Sequence, residues 1–175
     1  MADNDSVLAA ARAWKGERLA LATVVSTWGS APRPPGSHML VHRDGRFEGS
    51  VSGGCVEADI LQTAAEVIAG APAVVKQYGV ADPAAWEVGL PCGGEIAVLV
   101  QPVSAEGFPP ALFDAIDAAR ADGVPFDVGT DLATGRSMKG AGGFRNRYDP
   151  PRRLLIVGAV QIAQSLAGLA REIGI

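Results

Sequence analysis

The sequence of 175 residues has few cysteines, few aromatic residues, no excess of basic residues and no long apolar run. Its two cysteines cannot form the disulfide framework of a small secreted protein, so we expect a cytoplasmic protein. The net charge of −4 disfavours a general nucleic-acid binder, which usually carries a basic excess. No apolar run approaches the roughly 18 residues that indicate a membrane span, and the acidic first residues do not predict a signal peptide.

What remains is the composition of an ordinary globular protein with a core, because hydrophobic residues form 48% of the sequence and charged residues 19%. The 22 glycines and 12 prolines predict many turns. Apolar residues at helical spacing predict helices after Ser6, after residues 52–54 and over 110–122. Runs of β-branched and apolar residues predict strands over 19–26, 37–42, 47–51, 73–78, 95–103 and 124–131. Residues 1–135 are therefore expected to form an α/β domain with a mixed sheet.

The composition changes after residue 135. Between Arg136 and Arg153 six residues are Lys or Arg and one is Asp, with glycines and prolines among them, so we expect a basic linker over 136–152. Residues 153–175 combine an apolar run, a turn at Gly158 and an amphipathic helical pattern. This order is typical of the first βα unit of a Rossmann-like domain, here truncated. Val160 stands at the second glycine of the dinucleotide fingerprint, where its side chain would crowd a pyrophosphate.

The segment GSVSGGCVE, residues 49–57, predicts a cysteine at the start of a helix. We expect Cys55 in the first helical turn, where unpaired backbone N–H groups and the helix dipole favour a thiolate. Such a thiolate is a nucleophile or a soft metal ligand. Ser52, Gly53 and Gly54 would let an anion approach the backbone closely. The residues alone also allow a small buried cysteine beside glycines that only form a bend.

Two further segments combine glycine with residues that carry chemistry. GLPCGGE, residues 89–95, places Cys92 before Gly93 and Gly94, and these glycines also suit a simple turn. TWGSAPRPPG, residues 27–36, holds Arg33 between prolines that stiffen its backbone, which suits a bidentate contact to phosphate. The alternative there is a solvent-facing arginine. The two cysteines lack the C-x-x-C spacing of a redox pair, and no cysteine has a second ligand at zinc-finger spacing.

These segments resemble the xanthine dehydrogenase accessory (XdhC/CoxI) family. The resemblance is carried by TWGSAPRPPGSHMLV (27–41), DGRFEGSVSGGCVE (44–57), GLPCGGEIAVLVQP (89–102) and LLIVGAVQIAQSLAGLAREIG (154–174). It implies an XdhC/CoxI-type N-terminal domain followed by a Rossmann-like domain. The chain departs from many relatives at 158–161, where it has Gly-Ala-Val-Gln in place of Gly-Ala-Gly-His.

The resemblance also implies a role. Members of the family are cofactor chaperones rather than enzymes: they bind molybdenum cofactor (molybdopterin) as cargo, protect it, support its sulfuration and deliver it to an apo molybdenum hydroxylase such as xanthine or carbon monoxide dehydrogenase. It further implies a cysteine desulfurase as a candidate partner. A second copy of the chain is a candidate partner for another reason: one strand and one helix over 153–175 cannot bury both faces of a sheet. Cys55 and Cys92 become the thiols to consider, with Cys55 the better candidate for contacting molybdenum.

Two other classes of function stay open at this point. The first is an NAD(P)-binding oxidoreductase of which residues 153–175 are a fragment. The second is a partner-binding module in which both cysteines are core residues. The exposure of the Cys55 thiol distinguishes the second from a cofactor chaperone, and the structure around Gly158 bears on the first.

Overall fold

The computed structural model describes residues 4–79, 93–140 and 142–172, and these residues form four helices and eight strands. The helices are α1 (Asp5–Ala13), α2 (Glu57–Ala69), α3 (Pro110–Ala121) and α4 (Gln161–Glu172). The strands are β1 (Leu19–Trp28), β2 (His38–His42), β3 (Phe47–Gly49), β4 (Val74–Tyr78), β5 (Glu95–Pro102), β6 (Phe126–Asp131), β7 (Arg136–Lys139) and β8 (Phe144–Tyr148). The expected combination of helices and strands is confirmed. The expectation of a mixed sheet is wrong, because all pairs of described strands are antiparallel.

A five-stranded antiparallel sheet forms the centre of the protein, in the order β3-β2-β1-β5-β4. Strand β1 is apolar on both faces because helices cover both. Ala20, Ala22 and Val24 belong to one core, which α2 completes. Leu19 and Leu21 belong to the second core, which α1 and α3 complete. Side chains alternate between the two faces of a strand, so this double burial explains the continuous apolar run in the sequence.

A second, three-stranded antiparallel sheet contains β6, β7 and β8 in the order β7-β6-β8. The expectation of an irregular basic linker over 136–152 is therefore wrong for the part that β7 and β8 occupy. The basic residues of β8 are compatible with a strand because they are exposed and paired. Arg145 lies 2.6 Å from Asp127 of β6, and Arg147 lies 2.8 Å from Asp149. Charged side chains on such a strand also discourage edge-to-edge association.

A buried polar cluster joins the two sheets. His38, at the start of β2, contacts Thr23 Oγ1 through Nδ1 at 2.9 Å and the Tyr148 hydroxyl of β8 through Nε2 at 2.6 Å. Asn146 Nδ2 also lies 3.0 Å from His38 Nε2. Burial lowers the pKa of His38 to about 4, although a backbone hydrogen bond at Ala22 opposes the shift. His38 is therefore a neutral structural residue at pH 7.

The C-terminal segment matches expectation only in part. Helix α4 forms where the apolar periodicity predicts it. Residues 153–157 form no strand, and Leu155 and Val157 are 87% and 92% exposed. A strand needs a neighbour for its N–H and C=O groups, and no described strand pairs with this segment. The expectation of a buried strand there is wrong, and a Rossmann-like domain stays a prediction.

The cap residues of α1 and α2 define where these two helices begin and end. Helix α1 begins at Asp5 with Asn4 rather than Ser6 as the preceding cap residue. Helix α2 ends at Ala69, and its cap residue Gly70 has a φ of 117° that only glycine adopts readily. None of the helices in the described ranges has the length and apolarity needed to cross a bilayer.

Candidate functional site

The topology of the five-stranded sheet brings the three motif-bearing loops to one end. Strands β1, β3 and β4 finish at this end, and β2 and β5 begin there. We call it the loop end of the sheet. It carries residues 29–37 between β1 and β2, residues 50–56 between β3 and α2, and residues 79 and 93–94 that flank β4 and β5. Cys92 lies outside the described residues.

Close backbone approaches show that these loops pack against each other. A Cβ atom added to Gly94 would lie 2.6 Å from the Ser30 carbonyl oxygen and 3.1 Å from that of Trp28. A Cβ on Gly53 would lie 3.9 Å from Pro32 Cβ. Gly94 therefore allows the loop before β5 to approach the proline-rich loop closely, and the cysteine loop also contacts the proline-rich loop, at Pro32. Gly93, with a φ of 70°, forms the turn that leads into Gly94.

Cys55 is exposed, but it does not lie inside the helix. Helix α2 begins at Glu57 with Val56 as its cap residue, so Cys55 precedes the first turn, contrary to expectation. Its backbone N–H donates to Ser52 Oγ at 3.0 Å. The alternative of a buried cysteine is excluded for Cys55, because its side chain is accessible to a ligand from solvent.

Glu57 is the functional element that sequence reasoning missed. Its carboxylate is buried and accepts hydrogen bonds from the backbone N–H groups of the loop and from the hydroxyls of Ser50 and Ser52. The N–H donors are Val51 at 3.2 Å, Ser52 at 2.9 Å, Gly53 at 3.1 Å, Gly54 at 2.9 Å and Val56 at 3.2 Å. The Ser52 hydroxyl links Glu57 to the N–H of Cys55.

This arrangement corrects the expectation of an open anion cradle at Ser52, Gly53 and Gly54. The cradle exists, but the protein's own carboxylate occupies it. Burial alone would raise the pKa of Glu57, and the hydrogen bonds from Ser50, Ser52 and the backbone overcome it and lower the pKa to about 2. An acidic residue at the first position of a helix, directly after a run of small residues, is the sequence signal that predicts such a contact.

Arg33 lies in the proline-rich loop at the same end of the sheet. Its side chain is partly buried, and no hydrogen bond or ion pair engages its guanidinium within residues 4–79, 93–140 and 142–172. The loop is fixed at its far end, where Asn4 and Asn146 donate to the Gly36 carbonyl at 2.9 and 3.4 Å. An arginine on a fixed loop without a protein partner can accept an anionic ligand.

A cleft of about 510 Å³ opens beside the same loops. It is lined by residues of β1, β4 and β5 and by Gly79: Ser26, Thr27, Trp28, Gln77, Tyr78, Gly79, Glu95, Ile96 and Ala97. Trp28 is 69% exposed. The Tyr78 hydroxyl donates to Asp59 of α2 at 2.5 Å, and Lys76 lies 3.0 Å from the same carboxylate, so one wall of the cleft is fixed to α2.

No group of three or more His, Cys, Asp or Glu side chains in the described part of the chain is arranged to hold a metal ion. His38 and His42 are both buried and engaged, His38 with Thr23 and Tyr148 and His42 with Asp44 at 2.9 Å.

The amino-acid sequence is similar to those of two proteins connected with molybdenum enzymes. The chain is 32% identical over 168 residues to the molybdenum cofactor insertion chaperone PaoD of Escherichia coli, covering 91% of this chain and 51% of that protein. It is 35% identical over 92 residues to a probable subunit of xanthine dehydrogenase from Bacillus subtilis, covering 51% of this chain and 28% of that one. The chain thus spans about half the length, or less, of these curated relatives.

The fold also matches a solved structure. A crystal structure of a xanthine dehydrogenase from Bacillus halodurans superimposes with a TM-score of 0.79 at 24% identity, covering 100% of this chain and 61% of that one. Residues 13–79, which include the proline-rich loop, Cys55 and α2, match the model of the XdhC and CoxI family. Through this segment the chain is similar to the members of the XdhC and CoxI family.

Proposed function

We propose that this chain is a molybdenum cofactor-binding maturation factor, which holds the cofactor at the loop end of its five-stranded sheet and delivers it to an apo molybdenum hydroxylase. The observation that carries the proposal is the exposed Cys55, on a loop fixed by Glu57, next to the proline-rich loop that bears Arg33. The similarity to the insertion chaperone PaoD supports this class of function.

The cargo has chemical parts that these residues fit. Molybdenum is a soft-ligand metal in this cofactor, and a thiol is the side chain suited to contact it. The phosphate group of the cofactor needs a cationic partner, and the guanidinium of Arg33, which has no partner among the described residues, can serve as one. Because Glu57 occupies the N–H groups of Ser52, Gly53 and Gly54, these residues position Cys55 instead of binding the phosphate. Gly93 and Gly94 fix the neighbouring loop, and Cys92 stays a candidate second thiol.

A carrier must also release its cargo. One exposed thiol and one arginine give few strong contacts, which suits reversible binding better than a closed metal site with four ligands. We place the protein in the cytoplasm, where an exposed thiol stays reduced. Sulfuration of the bound cofactor, a cysteine desulfurase as partner and a homodimer are parts of the same proposal.

The oxidoreductase alternative lacks its structural basis in the described residues. A dinucleotide fingerprint requires a strand that leads into the glycine turn. Residues 153–157 form no strand, and Val160, at the fingerprint's second glycine position, is 67% exposed.

The test is cofactor retention. Purified protein is mixed anaerobically with cofactor released from a molybdenum hydroxylase and passed over a gel-filtration column, and bound molybdenum and oxidised pterin are measured in the protein peak. We expect retention by the parent chain, clear loss in Cys55→Ala, and no change in Glu66→Gln, an exposed position of α2. Transfer of the bound cofactor to an apo molybdenum hydroxylase, measured as restored activity, tests delivery. Equal retention by Cys55→Ala and the parent would refute the role of Cys55, and no retention by the parent would refute the function.

A further inference from the structure

The cleft beside the loop end has a lining that does not include Cys55. Strand pairing places Trp28 of β1 opposite Glu95 of β5. Ser26 of β1 and Gln77 of β4 both pair with Ala97. Paired residues of an antiparallel sheet project to the same face. These side chains therefore form two adjacent rows on one face.

That face is the one α2 does not cover. Tyr78 and Ile96, which alternate with the cleft residues along their strands, belong to the core beneath α2. The side chains of Trp28 and Glu95 are exposed, whereas most of β1 and β5 is buried. An indole that stays largely in water at the end of a buried strand leaves its flat face available to a ligand.

Small residues leave space beside this indole. Ala97 presents a single methyl group, and Gly79 presents none. A Cβ on Gly79 would lie 2.5 Å from Glu95 Cγ, so the glycine also permits the observed position of the Glu95 side chain. The volume of about 510 Å³ is of the size that accommodates a small heterocyclic ligand.

The polar groups of the cleft determine which hydrogen-bonding groups a ligand must present to it. Within the described residues, no hydrogen bond or ion pair engages the Glu95 carboxylate. An ionised carboxylate only accepts hydrogen bonds, and its two oxygens match two adjacent N–H donors. Gln77 and Ser26 each supply both a donor and an acceptor. A ligand that stacks on Trp28 and presents an amino group next to a ring N–H satisfies Glu95, whereas an anionic edge would be repelled.

We propose that this cleft binds a planar heteroaromatic ring with a 2-amino-4-oxopyrimidine edge, with Trp28 stacking on the ring and Glu95 accepting hydrogen bonds from the amino edge. The inference rests on the proposed function, because the pterin of the cargo carries this edge. Guanine carries the same edge, so the experiment must separate the two sources. Cys55 and Arg33 then contact the metal and phosphate portions of the ligand, and the cleft binds its ring.

The experiment uses metal-free ligands, so it does not depend on the cofactor. Binding of pterin to the full chain is followed by the fluorescence anisotropy of the pterin itself. Lumazine, in which an oxo group replaces the 2-amino group, is the matched control ligand, and guanosine is the competing source. We expect saturable pterin binding, weaker binding of lumazine and weaker binding of guanosine. Tighter binding of guanosine than of pterin would overturn the assignment to the cofactor ring.

The variants separate stacking from edge recognition. Trp28→Ala should weaken pterin binding about tenfold, the effect of removing one aromatic stacking partner, and Trp28→Phe should restore part of it. Glu95→Gln should weaken pterin binding without weakening lumazine binding. Gly79→Ala should reproduce the Glu95→Gln pattern by displacing that side chain. Phe47→Ala and Glu66→Gln, an exposed aromatic residue and an exposed acid elsewhere, should bind as the parent does.

Failure of this inference is distinguishable from failure of the proposed function. If the parent, Trp28→Ala and Glu95→Gln all retain molybdenum cofactor and bind pterin equally, the cleft assignment is wrong and the function stands. If the parent binds pterin with the expected variant pattern but retains no cofactor, the function is wrong and the cleft assignment stands.

Discussion

The carboxylate of Glu57 can be tested by a single substitution, because the loop of residues 50–56 donates its hydrogen bonds to this one group. It accepts hydrogen bonds from five backbone N–H groups and two hydroxyl groups of residues 50–56. In Glu57→Gln an amide nitrogen replaces one of the two oxygens. If that nitrogen takes the place of Oε2, the hydroxyl of Ser52 and the N–H group of Gly54 lose their acceptor, whereas the N–H group of Val56 keeps its bond to Ser52 Oγ at 3.0 Å.

The magnitude follows from burial. Ser52 is buried, so its hydroxyl cannot turn to water. A buried donor without a partner costs roughly 1–3 kcal/mol, and the other donors of the loop exchange a charged acceptor for a neutral one. We therefore expect Glu57→Gln to lower the free energy of unfolding by about 2–4 kcal/mol at pH 7. Glu66→Gln, an exposed position on the same helix, should change it by less than about 0.5 kcal/mol.

The pH dependence gives an independent check. The pKa of Glu57 falls from 4.5 in the unfolded chain to about 2 in the folded protein. A depressed carboxyl pKa stabilises the fold above the unfolded value, and this contribution is lost as the pH falls through the folded value. The difference between the parent and Glu57→Gln should therefore be constant above pH 5 and should shrink below pH 4.5. Urea unfolding measured at several pH values tests this expectation.

The result that refutes the reasoning is a variant as stable as the parent at pH 7, or a difference that does not depend on pH. A second readout is the loop itself. In Glu57→Ala the emptied cradle should bind a small carboxylate, since backbone N–H groups at a helix start favour anions. Added acetate should then raise the thermal stability of Glu57→Ala and leave that of the parent unchanged.

Two further predictions concern the surroundings of the site. Burial holds the pKa of His38 near 4, so below pH 6.5 the unfolded chain binds a proton that the folded protein does not, and the free energy of unfolding should fall by on the order of 3 kcal/mol between pH 6.5 and 4. Urea unfolding of His38→Gln should show a smaller fall, and an equal fall would contradict a neutral buried His38. Gly94→Ala places a methyl group 2.6 Å from the Ser30 carbonyl oxygen, so it should lower the free energy of unfolding by about 1–3 kcal/mol, measured by calorimetry, and reduce cofactor retention, measured by gel filtration. A variant with the stability and retention of the parent would show that the loops do not pack as described.

Much of the fold could be predicted because local patterns and tertiary packing agree. The buried run of β1, the hairpin at 43–46 and the glycine stop after α2 each have a direct physical signal in the sequence. Composition is misleading at 136–152. Basic residues, glycines and prolines suggest a linker there, but β7 and β8 gain their stability from pairing with β6, which no local signal reveals.

The opposite error occurs at residues 153–157. There the local signal for a strand is strong, yet a strand forms only where a neighbour satisfies its backbone groups, and none of the described strands does so. In both places the outcome depends on partners distant in sequence. Long-range pairing is the information that periodicity and propensity do not contain.

The candidate site shows the same limit at the level of single hydrogen bonds. The sequence identified Cys55, the glycines and Arg33 by residue type, but their pattern suggested glycine N–H groups open to a ligand. The structure assigns those groups to Glu57, and this changes the chemistry of the loop: the charge that faces the N–H groups is internal, so an incoming anion must find a cation elsewhere. The guanidinium of Arg33 is such a cation, on a loop whose end is bonded to Asn4 of the N-terminal segment and Asn146 of the second sheet. The basic segment whose composition is that of a linker therefore takes part in fixing the loop to which we assign the binding of an anionic cargo.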